Sequence, residues 1–175
     1  MASPIPASVS RRKRLVLAGD IFLGLAIVTA ALHFIALSLS NLLWPIAGIA
    51  AVLAELRLPY CVASSSDLER VKFSLELTGL APSFGQRLYT AQMVKQGKPA
   101  PDLFLHAASA MAADPRRTLV IEDSVSGVTA AKAAGMKVWG FVGGAHYRLA
   151  DGSALLRQAG ADRIFAAMAD FWMEG

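Results

Sequence analysis

From Pro45 to the C-terminus, short apolar runs alternate with stretches in which apolar residues recur every three or four positions. "PIAGIAAVLAELR" has that helical spacing and opens on a proline, a residue suited to a first helical turn. "YCVAS" (60–64) is a compact β-prone run, and "SDLERVKFSLELTG" after it is an amphipathic helix. Ser66 and Glu69 match the S-x-x-E capping pattern, and Gly79 stands where a helix C-cap belongs. A short strand at "RLYT", a loop at "KQGKPAP" and a helix from about Asp102 follow. "TLVIE" predicts a buried strand, "SVSGVTAAKAAG" a helix closed by Gly135, and "KVWGFV" another strand. The C-terminal stretch predicts a helix capped by Ser153, a brief strand and a terminal helix. Strands alternating with helices in this way predict an α/β fold, a parallel sheet covered on both faces.

The first 44 residues break the pattern. Residues 21–54 contain no Asp, Glu, Lys or Arg, and Ile21 to Ser40 is about as long as a bilayer-crossing helix. The chain therefore divides into residues 1–44, a basic arm plus a hydrophobic helix, and residues 45–175, the α/β domain. The apolar run admits a membrane helix, a buried helix or an unselected leader, because periodicity alone does not separate them. The corresponding localisation is cytoplasmic, or membrane-anchored through the N-terminal segment. An apolar run longer than ~7–15 residues with no small-x-small site argues against a cleaved signal peptide.

Composition sharpens this division. The chain of 175 residues is 55% hydrophobic and 17% charged, and the apolar excess sits in the N-terminal segment. The net charge of +4 leans on "RRKR" at 11–14, and no later basic cluster with interleaved aromatics points to nucleic acid. Cys61 is the only cysteine, which excludes an intrachain disulfide and a CxxC metal site, and its apolar setting predicts a packed core thiol. Oligomeric state is not legible.

In open parallel sheets ligands bind beyond the carboxyl ends of the strands. There the sequence places Ser64 and Ser65 after one strand, and Glu122 with Asp123 after another. Lys98, in a loop stiffened by Pro99 and Pro101, can reach the same edge. Hydroxyl groups and free amides at a helix N-terminus favour an anion, and a lysine adds a compact positive charge. The two adjacent acids would repel that anion unless a cation intervened. Mg²⁺ suits the role, since it binds a few carboxylate oxygens and keeps positions for phosphate and water. Taken singly each residue has a plain structural reading: a turn serine, a solvated lysine, acids in a helix's first turn. Together they describe metal-assisted phosphoryl chemistry. His146, Tyr147 and Arg148, after "GFVGG", either face the same edge or are ordinary loop residues.

In order and spacing, "VASSS", "GKPAPDLF" and "VIEDSVSGVTAAKAAGM" resemble motifs two to four of the haloacid dehalogenase-like superfamily, in its β-phosphoglucomutase and sugar-phosphatase branch. The resemblance spans roughly residues 45–172. It implies a Rossmann-like α/β core and Mg²⁺-dependent hydrolysis or transfer of a phosphoryl group on a small phosphorylated metabolite. By resemblance Ser64 binds the transferring phosphoryl group, Ser65 adds backbone contacts, and Lys98 stabilises the phosphate and the nucleophile. Glu122 and Asp123 would be Mg²⁺ ligands, directly or through water, supported by Ser124.

The resemblance also exposes a gap. The family's aspartate nucleophile lies in a D-x-D-G-T-like motif after the first strand, and a helical cap usually follows; neither is recognisable here. Asp20 in "LVLAGDIFLG" is the one candidate, but Phe22 stands where the second aspartate belongs and the Gly-Thr turn is missing. The incomplete core predicts impaired activity, from a truncated or differently initiated hydrolase. The alternative is a noncatalytic phosphate-binding or membrane-tethered remnant.

Overall fold

The computed structural model describes residues 26–28, 46–144, 147 and 151–173. Within them lie strands β1 (Ala26–Val28), β2 (Tyr60–Ser64), β3 (Leu88–Thr90), β4 (Leu119–Glu122), β5 (Lys137–Phe141) and β6 (Arg163–Phe165). The helices are α1 (Ile49–Glu55), α2 (Leu68–Leu77), α3 (Ala81–Phe84), α4 (Asp102–Ala110), α5 (Val125–Ala133) and α6 (Gly152–Gln158). The strands form one six-stranded sheet in the order β3-β2-β1-β4-β5-β6, and every pairing is parallel. This is the α/β architecture expected from the alternation of strands and helices.

The strands read as nearly continuous apolar runs because both faces of the sheet are covered. Alternate side chains serve opposite cores. Val62, Ile121, Trp139, Phe141 and Phe165 pack with Ile49, Val52 and Leu53 of α1 and with Val71 and Leu75 of α2. Cys61, Ala63, Val120 and Val138 pack against Leu103 and Phe104 of α4, Val128 of α5 and Leu156 of α6. The C-terminal turn is held down by Arg163, which lies over the Trp139 ring at 4.5 Å and donates to the Asp170 carbonyl at 2.6 Å.

Several expectations change. Within the apolar N-terminal segment, Ala26–Val28 is not helix but the strand between β2 and β4, so the sheet draws on both sides of the boundary expected at residue 44. Among the described residues no helix is long and apolar enough to cross a membrane. The rest of residues 1–44, Asp20 included, lies outside the described residues.

The helix expected from Pro45 starts at Ile49, after Gly48 at φ +89°. The cap of α2 is Asp67, whose carboxylate accepts from the Arg70 amide at 2.8 Å, and not Ser66. The Ser66 amide is turned back to Ser64 Oγ, 3.1 Å away, so Ser66 belongs to the turn that precedes the helix. Asp151, accepting from the Ala154 amide, caps α6 in place of Ser153. The terminal helix is a 3-10 stretch, Met168–Trp172.

Candidate active site

Three loops meet at the carboxyl edge of the sheet, and one lysine ties them together. Lys98 lies in the loop before α4, with a cis peptide bond to Pro99. Its ammonium donates to the Ala63 carbonyl at 3.2 Å and to Glu122 Oε1 at 2.5 Å. It thus joins the residue before Ser64 to the residue before Asp123. The bridge is dry: the Lys98 and Glu122 side chains are 5% and 2% exposed. The Phe104 ring of α4 lies under the ammonium at 4.7 Å, where a cation over a desolvated aromatic face gains about 2 kcal/mol.

Ser64 ends β2 and is buried, its hydroxyl held by the Ser66 amide. Ser65 is exposed beside it in the turn leading to α2. Thr90, the parallel partner of Ser64 on β3, is fully buried, and its hydroxyl oxygen makes no hydrogen bond among the described residues.

Glu122 and Asp123 are both buried, and they are held differently. The Glu122 carboxylate folds back over the start of α5. Its Oε2 accepts from the Asp123 amide at 2.9 Å, the Ser124 amide at 3.0 Å and the Ser124 hydroxyl at 2.9 Å, while Oε1 faces Lys98. Ser124 caps α5 through the Gly127 amide, 3.0 Å from its hydroxyl oxygen. A side chain at residue 127 would overlap the Glu122 carboxylate, so Gly127 is what lets this acid lie against the helix. Burial first, and the Glu122 charge second, push the Asp123 carboxyl up to about 8, with Lys98 opposing.

The donor set fits a hard divalent cation. A buried carboxylate resisting ionisation beside a second acid is relieved by positive charge at that spot. Among the described residues no group of three or more His, Cys, Asp or Glu is placed to hold a metal ion. Two acids at an edge suit an ion such as Mg²⁺, which keeps several waters and a substrate oxygen.

Tyr147, left open in the sequence, reaches this edge: its hydroxyl donates to the Asp123 carbonyl at 2.5 Å. Burial, and then the Asp123 and Glu122 charges, raise its phenol above the ordinary value, so the group stays a donor. His146 and Arg148 lie outside the described residues. Phe104 and Gly127 were not read as site residues. Both stand inside the quoted motifs, as the aromatic of "GKPAPDLF" and the glycine of "EDSVSG", but what each touches depends on the tertiary fold.

The family model for haloacid dehalogenase-like hydrolases matches residues 15–135. The chain belongs to this family. The matched span runs from the N-terminal segment through β1 to the end of α5, so the family resemblance extends upstream of residue 45. Among its relatives is the phosphorylated carbohydrates phosphatase of Thermotoga maritima, 36% identical over 60% of this chain and 46% of that protein. The 6-phosphogluconate phosphatase of Escherichia coli is 30% identical over 58% of this chain and 46% of that one. A family hydrolase from Deinococcus radiodurans, solved with bound phosphate and sodium, superposes with a TM-score of 0.67 at 36% identity, over 73% of this chain and 57% of that one. The chain thus spans less than half the length of these two curated relatives.

Proposed function

We propose that this chain is a phosphatase-type hydrolase that binds the phosphate of a small phosphorylated metabolite, of the sugar-phosphate kind, at Ser64, Ser65 and Lys98. The observation that carries the reading is the Lys98 ammonium held between Ala63 and Glu122. A positive charge between the Ser64 turn and the acid pair supports phosphate binding there. Ser64 offers a hydroxyl and the turn after it offers amides, so the bound anion meets donors that are already oriented. Phe104 and the Ala63 carbonyl fix the lysine, and Glu122 keeps it from swinging into solvent.

Asp123 is the residue suited to hold Mg²⁺ directly. Glu122, whose oxygens already face Lys98 and its own loop, contributes through water, and Ser124 supports it. Bound there, the metal would polarise a phosphoryl oxygen and neutralise charge developing on it. In the sequence, Thr29-Ala30-Ala31 follows β1 with no carboxylate among them. The expected consequence is anion and metal binding with impaired turnover.

Calorimetric titration of the full chain with MgCl₂, with and without inorganic phosphate, tests this reading. Mg²⁺ uptake that is lost in Asp123→Asn is expected, together with phosphate uptake lost in Lys98→Ala. Hydrolysis of p-nitrophenyl phosphate is expected to be weak or nil. Robust Mg²⁺-dependent turnover that disappears in Asp123→Asn would overturn the impairment, and a chain that takes up neither ion would overturn the site.

A further inference from the structure

We propose that Tyr147 is a positioning residue for the Asp123 carboxylate, acting through the Asp123 backbone; this rests on the metal-binding reading of Asp123 above. Asp123 lies one residue beyond β4 and so is past the strand's described register with β5, which ends at Glu122 opposite Gly140. Side chains hold its backbone instead. Its amide is taken by Glu122 Oε2, from its own loop, and its carbonyl by the Tyr147 hydroxyl, from 24 residues further along the chain. With the peptide units on both sides of Cα fixed, the direction in which the Cα–Cβ bond leaves the backbone is fixed too, and the side chain starts from a set position.

The tyrosine is itself held. Gly152 opens α6, and a side chain there would overlap the Tyr147 ring, so the glycine makes the space in which the ring sits. The ring also packs against the core cluster of α4, α5 and α6. Packing alone would be met by phenylalanine. The hydroxyl is what reaches the acid loop, and it comes from the flank opposite Ser64: β2 lies on one side of β1 and β4, and the β5–α6 connection on the other. Tyr147 thus anchors the acid loop from the flank that Lys98 does not reach. Hydrogen-bond partners behind a metal ligand commonly contribute about 10-fold to 100-fold in metal affinity.

The test is the Mg²⁺ affinity of the full chain by calorimetry, with Mn²⁺ electron paramagnetic resonance as a second readout of the same site. Tyr147→Phe removes only the hydroxyl. It is expected to weaken Mg²⁺ binding about tenfold and to broaden the bound-Mn²⁺ spectrum, while the thermal midpoint without metal changes little. Gly152→Ala keeps the hydroxyl but displaces the ring, and is expected to weaken the metal in the same direction. If Tyr147→Phe binds Mg²⁺ as tightly as the parent, the positioning role is overturned and the metal reading stands, whatever Gly152→Ala does. If the parent takes up no Mg²⁺, the metal reading fails and this inference fails with it.

Discussion

Cys61 shows how burial alone sets a residue's chemistry. It is fully enclosed in the core under α4, and desolvation pushes its thiol from 9.0 up to about 12, with Arg87 opposing. A low-pKa nucleophile is therefore excluded at this position, as the apolar "PYCVAS" setting implied. The sign of the linkage follows directly. Between pH 9 and 12 the unfolded thiol ionises while the folded one does not, so the stabilisation is complete below pH 9 and is lost as pH rises through 12. The slope is at most about 1.4 kcal/mol per pH unit for this one group. Denaturant titrations from pH 8 to 11 are expected to show a steeper loss of stability in the parent than in Cys61→Ala. Equal slopes would show that the thiol does not ionise differently in the two states.

At the scale of elements, the loop from β4 into α5 concentrates the most function in the fewest residues. Ser124 caps the helix, Glu122 collects the loop's amides, and Gly127 leaves room for that carboxylate. Gly127→Ala adds little to helix propensity in comparison with what it displaces. A methyl group driven into Glu122 forces the acid off Lys98 and strands a buried ammonium, a loss of about 3–5 kcal/mol when one partner of a buried pair is removed. The expected result is a chain that melts well below the parent and has lost phosphate uptake. A melt within a degree of the parent would mean that Glu122 can move aside at no cost. Element positions were largely legible here, since the runs at 60–64, 119–122 and 137–141 have strand length and composition. Caps were less so. The S-x-x-E pattern lies one residue before the true cap, Asp67, and a one-residue shift between adjacent polar residues leaves no mark in a periodicity.

Across the whole molecule, the sequence was least informative at the centre of the sheet. Ala26–Val28 sits in a long apolar stretch with Gly24 as the one turn residue near it, and such a run reads equally as helix or strand. What settles its state is tertiary: only in the slot between β2 and β4 do its amides and carbonyls find partners on both sides, with Ala26 opposite both Tyr60 and Leu119. The Ser64 turn after β2 and the acid pair after β4 are therefore held side by side in the sheet by β1. A chain shortened to begin at Pro45 retains every residue of the three motifs yet loses this strand. Two inner edges of the sheet, β2 and β4, would then be left unpaired between apolar faces, an arrangement prone to edge-to-edge association. The expected outcome is loss of a cooperative thermal transition and elution as aggregate in size-exclusion chromatography. Mg²⁺ uptake should also be lost, although Ser64, Lys98, Glu122 and Asp123 are all still present. A monomeric shortened chain that melts cooperatively and binds Mg²⁺ like the parent would show that β2 and β4 close on each other directly, and that the N-terminal strand is dispensable to the site.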